Sequence, residues 1–85
     1  MNNIMKFAVV ITYSFDSEVP VFLFEDEDSA KLFLAENFLQ ECKIDMEENG
    51  YDTDSEIGED GWYAKIINHF SDRDDVTEYR IGIIQ

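Results

Sequence analysis

From Met5 to Ser14 nearly every position is apolar, aromatic or β-branched. In an extended chain Phe7, Val9, Ile11 and Tyr13 share one face, and Ala8, Val10 and Thr12 share the other. Both faces are largely apolar, which predicts a central strand. The turn residues 15–18 follow. Val19, Val21 and Leu23 then alternate with Phe22 and Phe24, predicting a second strand that Pro20 places at a sheet edge or at its own start.

A different period begins after the acidic run Glu25–Asp28. Leu32, Leu34, Ala35, Phe38, Leu39, Cys42 and Met46 form a stripe at helical spacing. Glu36, Gln40, Glu41, Lys43 and Glu47 fall elsewhere on the wheel, so the amphipathic helix is predicted over roughly 28–48. Asp26 or Asp28 supplies its N-cap, and Asn49-Gly50 ends it, because both residue types tolerate a left-handed backbone. Phe33 and Ile44 lie off the stripe and need either a wide stripe or a second covering surface.

Residues 50–61 lack apolar periodicity. They hold three of the four glycines, a run of acids and no base, and read as an acidic loop. Alternation returns at 62–70. Trp62, Ala64, Ile66 and Phe70 share one face there, and Tyr63, Lys65, Ile67 and His69 the other. A turn at 71–75 leads to a last strand at 76–84, with Thr77, Tyr79, Ile81 and Ile83 opposite Glu78, Arg80, Gly82 and Ile84. Those two strands should form an antiparallel hairpin.

The resulting expectation is an α+β fold of order ββαββ. A four-stranded antiparallel sheet carries one amphipathic helix on one face, and a single domain spans 1–85. The uncovered face keeps Val10, Phe22 or Phe24, Ile67 and Ile84. It either receives a partner or a second copy, or is covered by the acidic loop.

Charge changes the picture most. The chain has 20 Asp and Glu against 6 Lys and Arg, a formal net charge of −14 over 85 residues. Direct binding to nucleic acid or to an anionic membrane is disfavoured, and a basic protein surface is favoured. With 45% hydrophobic residues, 7 Phe and 4 Tyr, the chain is not an acidic disordered tail. The N-terminal segment lacks a signal-peptide pattern and no stretch is long enough to span a bilayer, so the expected location is the cytoplasm.

Candidate chemistry is sparse. Cys42 is the only cysteine and falls in the helix stripe, so no disulfide within the chain is available and burial is expected. Asp52, Thr53, Asp54, Ser55 and Glu56 place oxygen ligands at alternate positions, as a calcium loop does. Ile57 then stands where the tight turn needs glycine, and Tyr63 where the bidentate Glu belongs. His69, the only histidine, has no nucleophile or second histidine beside it in sequence and reads as a surface residue with a raised pKa near Asp72 and Asp74. Trp62 reads as a core cap near the helix end. No catalytic residue, cofactor or metal site is expected.

The reading is therefore an acidic protein-binding module. Its candidate contact residues are Asp26 and Asp28 at the helix start, Asp52, Asp54, Glu56, Glu59 and Asp60 in the acidic loop, and Tyr63 beside it. In size and charge alone the chain resembles the small acidic inhibitors that phages and plasmids direct at restriction enzymes, CRISPR effectors and nucleoid proteins. That resemblance implies mimicry of nucleic acid toward a basic nucleic-acid-binding protein. It requires carboxylates spaced like phosphates along one face. The alternatives are a small structural homodimer and a weak calcium-responsive regulator.

Overall fold

The computed structural model describes residues 4–84; residues 1–3 and 85 of the predicted domain lie outside them. Five strands form one antiparallel sheet: β1 (Phe7–Tyr13), β2 (Val21–Phe24), β3 (Asp52–Ile57), β4 (Tyr63–His69) and β5 (Asp74–Ile83). Their spatial order is β2-β1-β5-β4-β3. The helix α1 (Glu27–Lys43) leads from β2 at one edge to β3 at the other, and so crosses one face of the sheet.

The four-stranded expectation is thus corrected to five strands. The segment read as an acidic loop at 50–61 contains β3, paired with β4 from Asp52↔His69 to Ile57↔Ala64. It was hidden because its strand carries almost no apolar signal. Thr53, Ser55 and Ile57 point to the helix side, and only Ile57 is apolar. An edge strand needs only one ladder, and hydrogen bonds substitute for hydrophobic burial here. Thr53 donates to Oδ1 of buried Asn68 at 2.6 Å, and the Asn68 amide donates to Asp45 at 2.9 Å. This ties β3, β4 and the helix end together.

β1 is the inner strand its two apolar faces predicted, flanked by β2 and β5. Val9 and Ile11 are buried with Ala64, Ile66, Tyr79 and Ile81 against Ala30, Leu34, Phe38 and Cys42 of α1. Fully burying a side chain such as Leu34 or Ile66 contributes about 1.5–3 kcal/mol. Tyr79 is 1% exposed, and its hydroxyl donates to Asn37 at 2.8 Å, so its polar tip is satisfied.

The helix begins where Asp26 caps it. Oδ1 of Asp26 accepts from the Ser29 amide at 2.7 Å, and this bond holds the carboxyl below its ordinary pKa. Its last turn, Ile44–Glu48, widens to π geometry, and Gly50, at φ +68°, supplies the left-handed residue beyond it.

The face the helix buries differs from the expected stripe. Leu32, Leu39 and Met46 are more than half exposed, at 59%, 63% and 54%. The buried row is Ala30, Leu34, Phe38 and Cys42 at intervals of four. Phe33 reaches β2, with ring centroids 4.6 Å from Phe22 and 5.3 Å from Phe24. Phe22 and Phe24 therefore belong to the helix side, not to the open face. That face instead carries Ala8, Val10, Val21, Leu23, Ile67 and Val76, and no acidic loop lies across it: the segment expected there extends the sheet. Trp62 packs edge-on to Phe7 at 6.1 Å, beside the start of the helix. Among the described residues no helix is long and apolar enough to cross a membrane.

Candidate functional site

Of the acids proposed from sequence as contact residues, Asp52, Asp54 and Glu56 lie on β3, Glu59 and Asp60 in the segment between β3 and β4, and Asp26 and Asp28 at the start of α1. On β3 the side chains of Asp52, Asp54 and Glu56 alternate with the helix-facing set, so all three project from the open face. Successive members stand about 6.6 Å apart, two residues of extended chain. All three are exposed, and among the described residues β3 pairs with β4 on one side only, which leaves the other edge of its backbone without a strand.

Beyond Ile57 the chain turns tightly. The Gly58 amide donates to the Tyr63 carbonyl at 2.7 Å, and the Trp62 amide to Oδ1 of Asp60 at 3.1 Å. Gly61, at φ +78°, sits where an added Cβ would come 3.5 Å from the Lys31 side chain. A left-handed turn there lets the turn close onto the start of α1. Lys31 in turn bonds Glu27 at 2.8 Å. That bond chiefly, with the nearby charges of Asp60 and Asp28, raises its pKa. Asp28 of the helix start and Asp60 of the turn beyond β3 thus both lie near Lys31.

Four of the expected contact residues already hold partners within the chain: Asp60 accepts from the Trp62 amide, Asp54 pairs with His69, and Asp26 and Tyr63 are engaged as well. Asp26 points back to the Ser29 amide as a cap. Tyr63 lies on the open face and is half-buried; its hydroxyl donates to Glu78 at 3.1 Å and the Arg80 guanidinium sits 5.2 Å from its ring centre. Desolvation first, then the bond to Glu78, pushes its phenol up.

The open face extends across β3 a charge pattern that the sequence places only near the last hairpin. Lys65 of β4 lies between Glu56 of β3 and Glu78 of β5 in register, and His69 lies between Asp52 and Asp74. His69 uses both ring nitrogens: Nε2 is 2.7 Å from Asp54 and Nδ1 is 2.9 Å from Asp74. Two carboxylates can only accept, so an imidazolium donating both ways satisfies the arrangement. The bond to Asp54, then the bond to Asp74, raises its pKa. Of the two acids the sequence places near it, Asp74 is bonded and Asp72 is not. Asp72 instead neighbours Arg73, which also bonds Asp75 at 3.0 Å.

The period-two alternation of acid and non-acid from Asp52 to Ile57 was the available signal for this row. An extended strand also keeps those oxygens apart rather than wrapping them around one ion. Among the described residues no group of three or more His, Cys, Asp or Glu side chains is arranged to hold a metal ion. Cys42 is buried, and burial chiefly pushes its thiol up, away from a reactive thiolate.

Comparison of the chain with protein-family models, with curated proteins and with solved structures finds no match in any of the three.

Proposed function

We propose that this protein is an acidic protein-binding module whose β3 edge receives a basic surface. The observation that carries the reading is the row Asp52, Asp54 and Glu56 on an edge strand with a free backbone side. Two kinds of complementarity meet there. An extended partner segment can add to the open backbone edge, and Lys or Arg at every second position of that segment meets the carboxylate row. The same row repels a second copy of itself, since like charges opposed across a ladder destabilise pairing. The row's spacing approaches that of successive phosphates on an extended nucleic-acid strand. A partner surface that normally takes phosphates is therefore the favoured class, and the protein would act there as a nucleic-acid mimic.

The test is competition. A nucleic-acid-binding protein recovered at about 0.15 M salt should lose its DNA or RNA to this chain. The triple variant Asp52→Asn, Asp54→Asn, Glu56→Gln should lose that ability, and Glu36→Gln, Glu47→Gln, Glu48→Gln should keep it. Equal loss in both triples would reduce the role of β3 to net charge and sink the edge reading.

A second reading rests on the opposite edge. On and before β2, Val19, Val21 and Leu23 are 51%, 51% and 53% exposed, an apolar edge of the kind that pairs with another chain. It supports a structural homodimer built through β2. Sedimentation equilibrium of the native chain and of Leu23→Lys checks it: a dimer abolished by the lysine supports this reading, and a monomer in both removes it.

A further inference from the structure

The amphipathicity of α1 is partly inverted. Leu32 and Leu39 face solvent, while Asn37, Glu41 and Asp45, spaced by four, line a cavity between the C-terminal half of the helix and the sheet. A helix placed only for stability would reverse these assignments. The π-helical turn that holds Asp45 widens the helix at this point, and such insertions recur at functional sites.

The cavity has a volume of about 370 Å³, within the range of small-molecule sites. Its floor is apolar, formed by Ile11 and Ile66. Tyr13, Phe15, Phe22 and Tyr51 supply aromatic walls, and the carboxylates come from Glu41, Asp45 and Asp75. Among the described residues no Lys, Arg or His lines it. The polar wall is braced before any ligand arrives. Asp45 is held by the Asn68 amide at 2.9 Å, and Asn37 by the Tyr79 hydroxyl at 2.8 Å.

We propose that this cavity binds a small organic cation, an ammonium or guanidinium head carried on a short apolar or aromatic body. The carboxylates attract the head, the aromatic faces add cation–π attraction, and the apolar floor takes the body. Asp75 is paired with Arg73 at 3.0 Å, whereas Glu41 and Asp45 have no cationic side chain bonded to them among the described residues, and their charge disfavours an anion. That charge also has a cost in the empty protein: burial, then the neighbouring Asp45, lifts the Glu41 carboxyl above its ordinary pKa. A cation relieves it. This site is separate from the β3 row and stands whether or not a basic protein docks there.

The experiment titrates the protein with tyramine and with agmatine, following amide shifts by NMR, with uncharged 4-ethylphenol as the comparison. Saturable binding of at least one amine is expected, with shifts at Tyr13, Asn37 and Tyr51. Glu41→Gln with Asp45→Asn should weaken it by about tenfold or more, and Glu36→Gln with Glu47→Gln, both exposed and outside the cavity, should leave it unchanged. Asn at 45 still offers an acceptor to Asn68, and Glu41→Gln alone serves if the double variant loses its native spectrum. Three results would each overturn the proposal: no saturable amine binding, equal weakening in both variant pairs, or 4-ethylphenol binding as tightly as tyramine.

Discussion

Nε2 of His69 lies 2.7 Å from Oδ2 of Asp54, across the ladder that joins β4 to the edge strand. With Asp74 on the other nitrogen, one imidazolium links three adjacent strands. The pair sits at the surface, so its effect is local.

Its pH dependence has a definite sign. The His69 pKa is raised in the folded protein. Its contribution to stability is therefore complete below the ordinary value of 6.5 and is lost as the pH rises through the raised folded value. An NMR titration of the His69 ring should give a midpoint above 6.5, and Asp54→Asn should move it back toward that value. Amide exchange in β3, corrected for its intrinsic pH dependence, should accelerate above the midpoint in the native chain and not in His69→Gln. A midpoint at or below 6.5 would contradict the geometry.

The helix face is tested by two leucines. Leu34 is fully buried and Leu39 is 63% exposed. Leu34→Ala should cost about 2–5 kcal/mol in urea unfolding, from lost burial and the cavity left behind. Leu39→Ala should stay within about 0.5 kcal/mol. Similar costs for both would restore the wider stripe that the periodicity suggests.

Asn68 is 8% exposed and bridges Thr53 to Asp45. Asn68→Ala removes both bonds and leaves two polar groups short of a partner. A loss of about 1–3 kcal/mol is expected. Native-state exchange should show β3 opening first, since the bridge holds that strand to the helix end.

Two glycines should respond oppositely to alanine. Gly50 has a φ of +68°, where a Cβ is strained although space is free, so Gly50→Ala should destabilise by about 1 kcal/mol. Gly82 sits on β5 with nothing within 4 Å of an added Cβ and no positive φ. Gly82→Ala should therefore be neutral or stabilise by up to about 1 kcal/mol. Melting curves of the two variants check the difference in sign.

Much of the architecture was legible in the chain. Alternation of large apolar residues located β1, β2, β4 and β5, and the register places Trp62, Ala64, Ile66, Tyr79 and Ile81 on the side expected of them. Pro20 lies just before an edge strand, as its missing amide requires. Hydrophobic burial leaves that imprint because inner strands and the helix must hide side chains at fixed periods. The net charge is likewise a property of the sequence alone.

Three things depended on the tertiary structure. β3 exists because β4 offers an open ladder and Asn68 offers a bond to Thr53, and neither leaves an apolar period in residues 52–57. The buried side of α1 follows from where β2 and the sheet end lie: Phe33 turns toward Phe22 and Phe24, while Leu39 is left in solvent. Asn37, Glu41 and Asp45 become the wall of a cavity for the same reason. A sequence period reports which residues share a face. Which face is covered, and which polar groups find partners across it, is decided by elements distant in the chain that meet only when it folds.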